Sequence, residues 1–317
     1  MHRVDPQDLH RAEKRPRQMG NNQGKRRRRS VQPTGQRTPL DKCLDFFWNH
    51  FPVPVDRSTC TLSWLMDPFL KNVNSSKQLY KDSCDLFERQ IQVLNMQQLF
   101  DKLTEIQPLF GRKSAEETRY ESRESSLIYL KEFLYHQLEE ETDNFVIHLF
   151  NWLNHNSGKH NCINIVGEPS SGKTWFARLL KEACVTSGQI ANMNRNSTFP
   201  FNNCMNKRIL HWDEPNFDPT AIDDIKMLFS GDELSVNVKY QNFQIVQRTP
   251  VICTANRNVF PLTDVFNCRI KHYRFKNYTT LKYWKYLDPI CIYDLFVEYG
   301  LLQSNVIEII ESQSTQE

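Results

Sequence analysis

The sequence lacks most of the features that mark secreted, membrane-spanning or thiolate-metal proteins. Its nine cysteines (positions 43, 60, 84, 162, 184, 204, 253, 268 and 291) are odd in number and scattered singly, with no C-x-x-C pair. That pattern excludes a disulfide framework or a thiolate zinc site, and each cysteine is expected as a reduced, small buried hydrophobe. Long apolar runs are missing: Phe145–Leu153 is interrupted by His148 and Asn151 and has about half the length of a membrane span. The amino end is charged and carries no apolar stretch, so neither a secretory signal nor a membrane partner is expected. The nine histidines include no pair two residues apart, and no internal repeat is evident. Glycine is scarce, with ten in 317 residues.

What is present is globular in kind. Hydrophobic residues make up 39% and aromatics 12%, too many for a wholly disordered chain. The net charge of +3 conceals a split, because residues 1–37 carry +8 and the other 280 carry −5. Residues 1–37 are polar and without periodicity, and are expected to form a disordered basic tail. Its run Lys25-Arg26-Arg27-Arg28-Arg29, with Lys14, Arg15 and Arg17 upstream, reads as a two-part nuclear-import signal or a nucleic-acid patch. A merely solvated tail is the alternative.

Residues 38–157 read as helical. Leu40, Leu44, Phe47 and Trp48 recur at helical spacing until Pro52 and Pro54. Asp82–Ile106 carries Leu86, Ile91, Leu94, Leu99 and Leu103 as one stripe. After a polar linker, Leu127, Leu130, Leu134 and Leu138 form another, followed by Phe145, Leu149, Phe150 and Leu153. From Asn161 the texture changes. Strands at Ile163–Val166, Arg208–Trp212 and Val251–Cys253 alternate with helical patterns at Trp175–Cys184 and Thr220–Phe229, which implies an α/β fold with a parallel sheet flanked by helices. The expected domains are 1–37 (tail), 38–157 (helical), 158–280 (sheet domain) and 281–317 (a C-terminal helical segment and tail).

The strongest chemical signal is Gly167-Glu168-Pro169-Ser170-Ser171-Gly172-Lys173-Thr174, a full G-x-x-x-x-G-K-[ST] match between a strand and a helix. In such a P-loop the backbone N–H groups cradle phosphates, the lysine reaches the β- and γ-phosphates, and the hydroxyl binds Mg²⁺. The expected ligands are therefore ATP and Mg²⁺, the latter held by Thr174 and Asp213. Forty residues beyond Lys173, an apolar strand ends in Asp213-Glu214. Asp213 suits the metal's water shell and Glu214 the deprotonation of attacking water, against an ordinary acidic turn. A third strand, Thr249–Thr254, leads to Asn256, whose amide is a γ-phosphate and water sensor or a plain turn residue.

These three elements in this order resemble a superfamily 3 helicase domain of the AAA+ type. Phe199-Pro-Phe-Asn202, Thr249–Asn256 and Phe266-Asn-Cys-Arg269-Ile are similar to the large non-structural replication proteins of parvoviruses, including densoviruses. The resemblance covers about residues 161–275. It implies an AAA+ P-loop NTPase core preceded by a helical oligomerisation region, and 3′-to-5′ unwinding of viral DNA by a homo-oligomeric, hexameric ring in the host nucleus. It gives Arg269 the role of an arginine finger acting on a neighbouring subunit. It also makes Gly231–Arg248 a DNA-binding hairpin with Lys239 on the backbone of single-stranded DNA. Gln241 stands where the family often has a second hairpin lysine.

Family members also carry a nicking endonuclease with a His-hydrophobic-His site. The absence of such a pair here leads to the expectation of no nicking activity, with a full-length replication initiator as a further partner. The competing class is a nucleotide-gated DNA-binding or regulatory subunit that does not unwind, and a packaging motor would share the same ATP site.

Overall fold

The computed structural model describes residues 37–304 except 115, 195–198, 240, 241 and 284. The basic run at 25–29, nearly all of the expected tail, Gln241 and the end of the C-terminal segment lie outside the described residues. The described chain belongs to a single unit that begins at Arg37.

Among the described residues six α-helices precede the sheet: α1 Pro39–His50, α2 Leu62–Met66, α3 Gln78–Gln92, α4 Met96–Thr104, α5 Arg123–Leu138 and α6 Thr142–Leu153. Thr38 caps α1 in a reciprocal box with Asp41, with Pro39 in the first turn, and the following Phe51 turns left-handed to end it. The apolar stripe of Asp82–Ile106 is divided between α3 and α4. Asn95 caps α4 in a second reciprocal box with Gln98. The buried Arg208 guanidinium takes the carbonyls of Ile91 (3.0 Å) and Leu94 at the end of α3. Side-chain capping thus outcompetes helix continuation at residues 93–95.

The sheet strands are β1 Cys162–Gly167, β2 Ser187–Gln189, β3 Ile209–Asp213, β6 Val251–Ala255 and β7 Ile270–Phe275, in the order β2-β3-β6-β1-β7. Every pairing is parallel. Between the strands come α7 Lys173–Ala183, α8 Ile222–Ser230 and α9 Asp264–Asn267. A two-stranded antiparallel ladder, β4 Leu234–Val236 with β5 Gln244–Val246, stands apart from the main sheet, and α10 Cys291–Glu298 follows β7. The P-loop strand lies inside the sheet, flanked by β6 and β7, in the expected parallel sheet flanked by helices.

Both faces of the sheet are buried, as near-continuous apolar strands require. On one face Ile163, Ile165, Ile209 and Ile252 join Phe133, Phe145, Phe176 and Tyr293 in a core that runs on through α1, α3 and α4. The other face packs Cys162, Leu210, Trp212, Val251 and Cys253 against Ile225, Phe229 and Phe260. The helices preceding the sheet therefore share a core with it. Phe133 of α5 sits edge-on to Phe275 of β7 with centroids 5.5 Å apart, and truncating that fully buried ring to alanine is expected to cost about 3–5 kcal/mol. Six cysteines are buried as expected, whereas Cys60 and Cys268 are exposed.

Candidate nucleotide site

The P-loop leaves β1 at the carboxyl end of the sheet, where open α/β sheets bind ligands. Two of its glycines are required by geometry. A Cβ on Gly167 would lie 2.3 Å from the Phe275 carbonyl oxygen. Gly172 has φ +85°, and a Cβ there would meet Leu281 at 2.5 Å and Phe133 at 2.7 Å. The loop between them is tied from outside. Tyr278 N–H donates to the Ser170 carbonyl (3.1 Å) and the Asn277 amide to that of Pro169 (3.3 Å). The buried Gln137 of α5 donates to the Ser171 carbonyl (3.2 Å) and to that of Lys276 (3.1 Å), and accepts from Lys276 N–H (2.6 Å).

Lys173 opens α7 with its ammonium turned back into the loop. It donates to the carbonyls of Gly167 (2.7 Å) and Glu168 (3.0 Å) and to Ser171 Oγ (3.3 Å), and reaches Asn256 Oδ1 at 3.4 Å. Burial pulls its pKa down, opposed by the carboxylates of Glu214 and Asp213. Thr174 beside it is exposed, so its hydroxyl is accessible at the helix start.

Asp213 ends β3 directly opposite Thr254 of β6 and accepts that hydroxyl's proton at 2.6 Å. Glu214 follows with φ +45°, a conformation that L-residues rarely adopt, and its N–H is held by the Thr254 carbonyl at 2.8 Å. Its carboxylate accepts from the Asn256 amide at 2.8 Å. Four expected residues, Lys173, Asp213, Glu214 and Asn256, thus converge at the ends of three neighbouring strands. Asn256, which also admitted a reading as a turn residue, bridges the lysine and the glutamate.

A cluster made of an accessible hydroxyl, a carboxylate and a glycine-bounded loop with its lysine fits a Mg²⁺-bound triphosphate, with Thr174 and Asp213 as the residues that would hold the metal. Thr254, His211 and Gln137, which support the site, carry no motif. The one signal in the sequence was a glutamine at position 137, in phase with the apolar Leu130, Phe133 and Leu134 of α5.

Arg269 is not part of this cluster. Ile270 pairs with Cys162 and Phe275 with Gly167, so Arg269 stands at the amino end of the sheet, roughly 15–20 Å of strand from the P-loop. Its guanidinium donates to the carbonyls of Lys226 (3.2 Å) and Val265 (2.5 Å). Lys239 lies on the exposed turn between β4 and β5, its N–H donating to Asn202 Oδ1 at 3.2 Å. Phe243 on the return side is 70% exposed. Arg248 braces the base of this ladder by donating to the carbonyls of Ser230 (3.2 Å) and Gly158.

The geometry agrees with sequence comparison. Residues 97–277 match the family model of the parvovirus non-structural protein NS1. The initiator protein NS1 of Junonia coenia densovirus is 28% identical over 264 residues, covering 80% of this chain and 48% of the relative. That of Bombyx mori densovirus is 36% identical over 163 residues, 51% of this chain and 18% of the relative. The chain spans less than half the length of these curated relatives. Among solved structures, JCV helicase overlays 84% of this chain and 84% of its own at a TM-score of 0.47 and 11% identity. With more than half of its residues matched by the family model, the chain belongs to the parvovirus non-structural protein NS1 family.

Proposed function

We propose that this chain hydrolyses ATP and uses the reaction to unwind DNA in the 3′-to-5′ direction during viral DNA replication in the host nucleus, as a homo-oligomeric ring of six subunits. The observation that carries the reading is the convergence of Lys173, Asp213, Glu214 and Asn256 at one end of the sheet, beside a P-loop whose glycines have no room for a side chain.

In this reading Lys173 exchanges its loop carbonyls for the β- and γ-phosphate oxygens, which relieves the burial of its charge. The backbone N–H groups of residues 168–174 hold the phosphates. Thr174 and Asp213 would hold Mg²⁺, which would supply neutralisation of the triphosphate's charge. Glu214 takes a proton from the attacking water, and Asn256, bonded to both Glu214 and Lys173, orients that carboxylate against the γ-phosphate. Arg269 completes the site of a neighbouring subunit, because it is remote from its own. Lys239 contacts the DNA backbone, and exposed Phe243 offers a stacking surface for a base. The residues before the sheet supply the ring contacts in addition to their share of the core. The tail at 1–37 directs nuclear entry, and a full-length initiator is a further partner.

The test is strand displacement on 3′-tailed duplex DNA with and without ATP, beside ATPase rates on the same preparation. Hydrolysis coupled to displacement supports the motor. Nucleotide binding that changes DNA affinity with no displacement supports a nucleotide-gated regulatory subunit instead.

A further inference from the structure

Behind Asp213 the sheet face carries polar side chains at positions where the neighbours Ile209 and Ile252 are fully buried and apolar. Thr254 is fully buried and His211 is 2% exposed. Such burial is costly unless every polar atom finds a partner. Here the partners form a line. Thr254 Oγ1 lies 2.6 Å from Asp213 Oδ1 and 2.8 Å from His211 Nε2. His211 Nδ1 lies 3.3 Å from Lys181 Nζ, which projects from α7.

Proton counting fixes the direction of each bond. A hydroxyl has one hydrogen, and the carboxylate can only accept, so Thr254 donates to Asp213. Its oxygen must then accept from His211, which places the imidazole hydrogen on Nε2. Nδ1 is left with a lone pair, and the Lys181 amine can only donate to it. Every donor therefore points towards Asp213. Lys181 also lines a cavity of about 460 Å³ with Arg178 and Glu182.

We propose that Lys181, His211 and Thr254 are positioning residues, a one-way hydrogen-bond relay that fixes the Asp213 carboxylate by Oδ1 and leaves Oδ2 free to hold the metal of the nucleotide complex. Among the described residues, Thr254 is the only hydrogen-bond partner of the Asp213 side chain. Such outer partners typically change metal affinity by about 10- to 100-fold. The inference rests on the ATP reading above and specifies its metal half.

The test uses the full chain and a non-hydrolysable ATP analogue titrated with Mg²⁺. Thr254→Val should shift the Mg²⁺ needed for half-maximal analogue binding upward by about 10- to 100-fold, with metal-free analogue binding unchanged. Thr254→Ser should restore the wild-type midpoint, and Lys181→Met should shift it in the same direction by less. Side-chain ¹⁵N spectra of histidine-labelled wild-type protein, with His211 assigned by His211→Gln, should show a neutral ring protonated at Nε2. Wild-type Mg²⁺ dependence in Thr254→Val, or a proton on Nδ1, overturns the relay. If the wild type binds no nucleotide the ATP reading fails, and the tautomer still decides whether the relay exists. The same measurement decides if Thr254→Val does not fold.

Discussion

The Asn256 amide nitrogen donates to Glu214 Oε1 at 2.8 Å, while its amide oxygen lies 3.4 Å from the Lys173 ammonium. One side chain therefore links the P-loop lysine to Glu214, the proposed base. Replacing Asn256 with alanine should leave ATP binding within a few-fold of wild type and lower kcat by about 10²-fold, the lower range for a positioned proton-transfer group. The check is a nucleotide titration paired with steady-state hydrolysis. A parallel loss of binding and turnover would instead make Asn256 a binding residue.

Glu214 carries the base role in this account, and its carboxylate, on a residue with φ +45°, is held by the Asn256 amide. Glu214→Gln keeps the shape and removes the basicity. It should still bind ATP and assemble, with hydrolysis reduced by about 10²- to 10⁴-fold. Substantial residual turnover in single-turnover experiments would reject that role.

Gln137 is a structural test of the loop. Gln137→Leu strips partners from Lys276 N–H and the Lys276 carbonyl, both part-buried, and from the buried carbonyl of Ser171. Denaturant unfolding should show a loss of about 1–3 kcal/mol, together with weaker nucleotide binding. An unchanged ATP affinity would mean that the loop holds its shape without α5.

Two half-buried histidines contribute to the pH dependence of stability. His148 and His155 are each pulled down to about 4, first by burial and then by neighbouring cations, Lys271 and His160 for the former, Arg208 and Arg248 for the latter. The unfolded chain takes up these protons near pH 6.5 and the folded one resists until about 4, so their contribution is complete above about 6.5 and lost as pH falls towards 4. The unfolding midpoint should drop between about pH 7 and 5.5, above the range of ordinary carboxylates. His155→Asn should flatten that drop, and a midpoint constant across the interval contradicts the assignment.

The separation of Arg269 from its own P-loop leads to a mixing experiment. Arg269→Ala and Lys173→Ala subunits should each be inactive alone and recover part of the activity when combined, because each supplies what the other lacks. ATPase per subunit should also rise with protein concentration. Complete failure of rescue would place the arginine outside the reaction.

The parts of this site legible in the sequence are those written contiguously. The P-loop, the Asp213-Glu214 pair and Asn256 each sit at the end of an apolar strand, so strand and chemistry announce one another. The supports are not contiguous. Lys181, His211 and Thr254 come from a helix and two strands, and each alone looks like a filler residue. They meet only because β3 pairs with β6 in the register that sets Asp213 beside Thr254. The break at residues 93–95 has a local half, the Asn95–Gln98 capping box, and a half that no local reading supplies, Arg208 from more than a hundred residues away. Arg269's role came from resemblance, and the structure adds its distance from the loop.

ATP hydrolysis by the full chain, measured with and without single-stranded DNA across a range of protein concentrations, tests the central claim most directly. The account predicts Mg²⁺-dependent turnover that rises with concentration, is stimulated by DNA and is abolished in Lys173→Ala. No hydrolysis at any concentration, or hydrolysis indifferent to both DNA and Lys173, would contradict it.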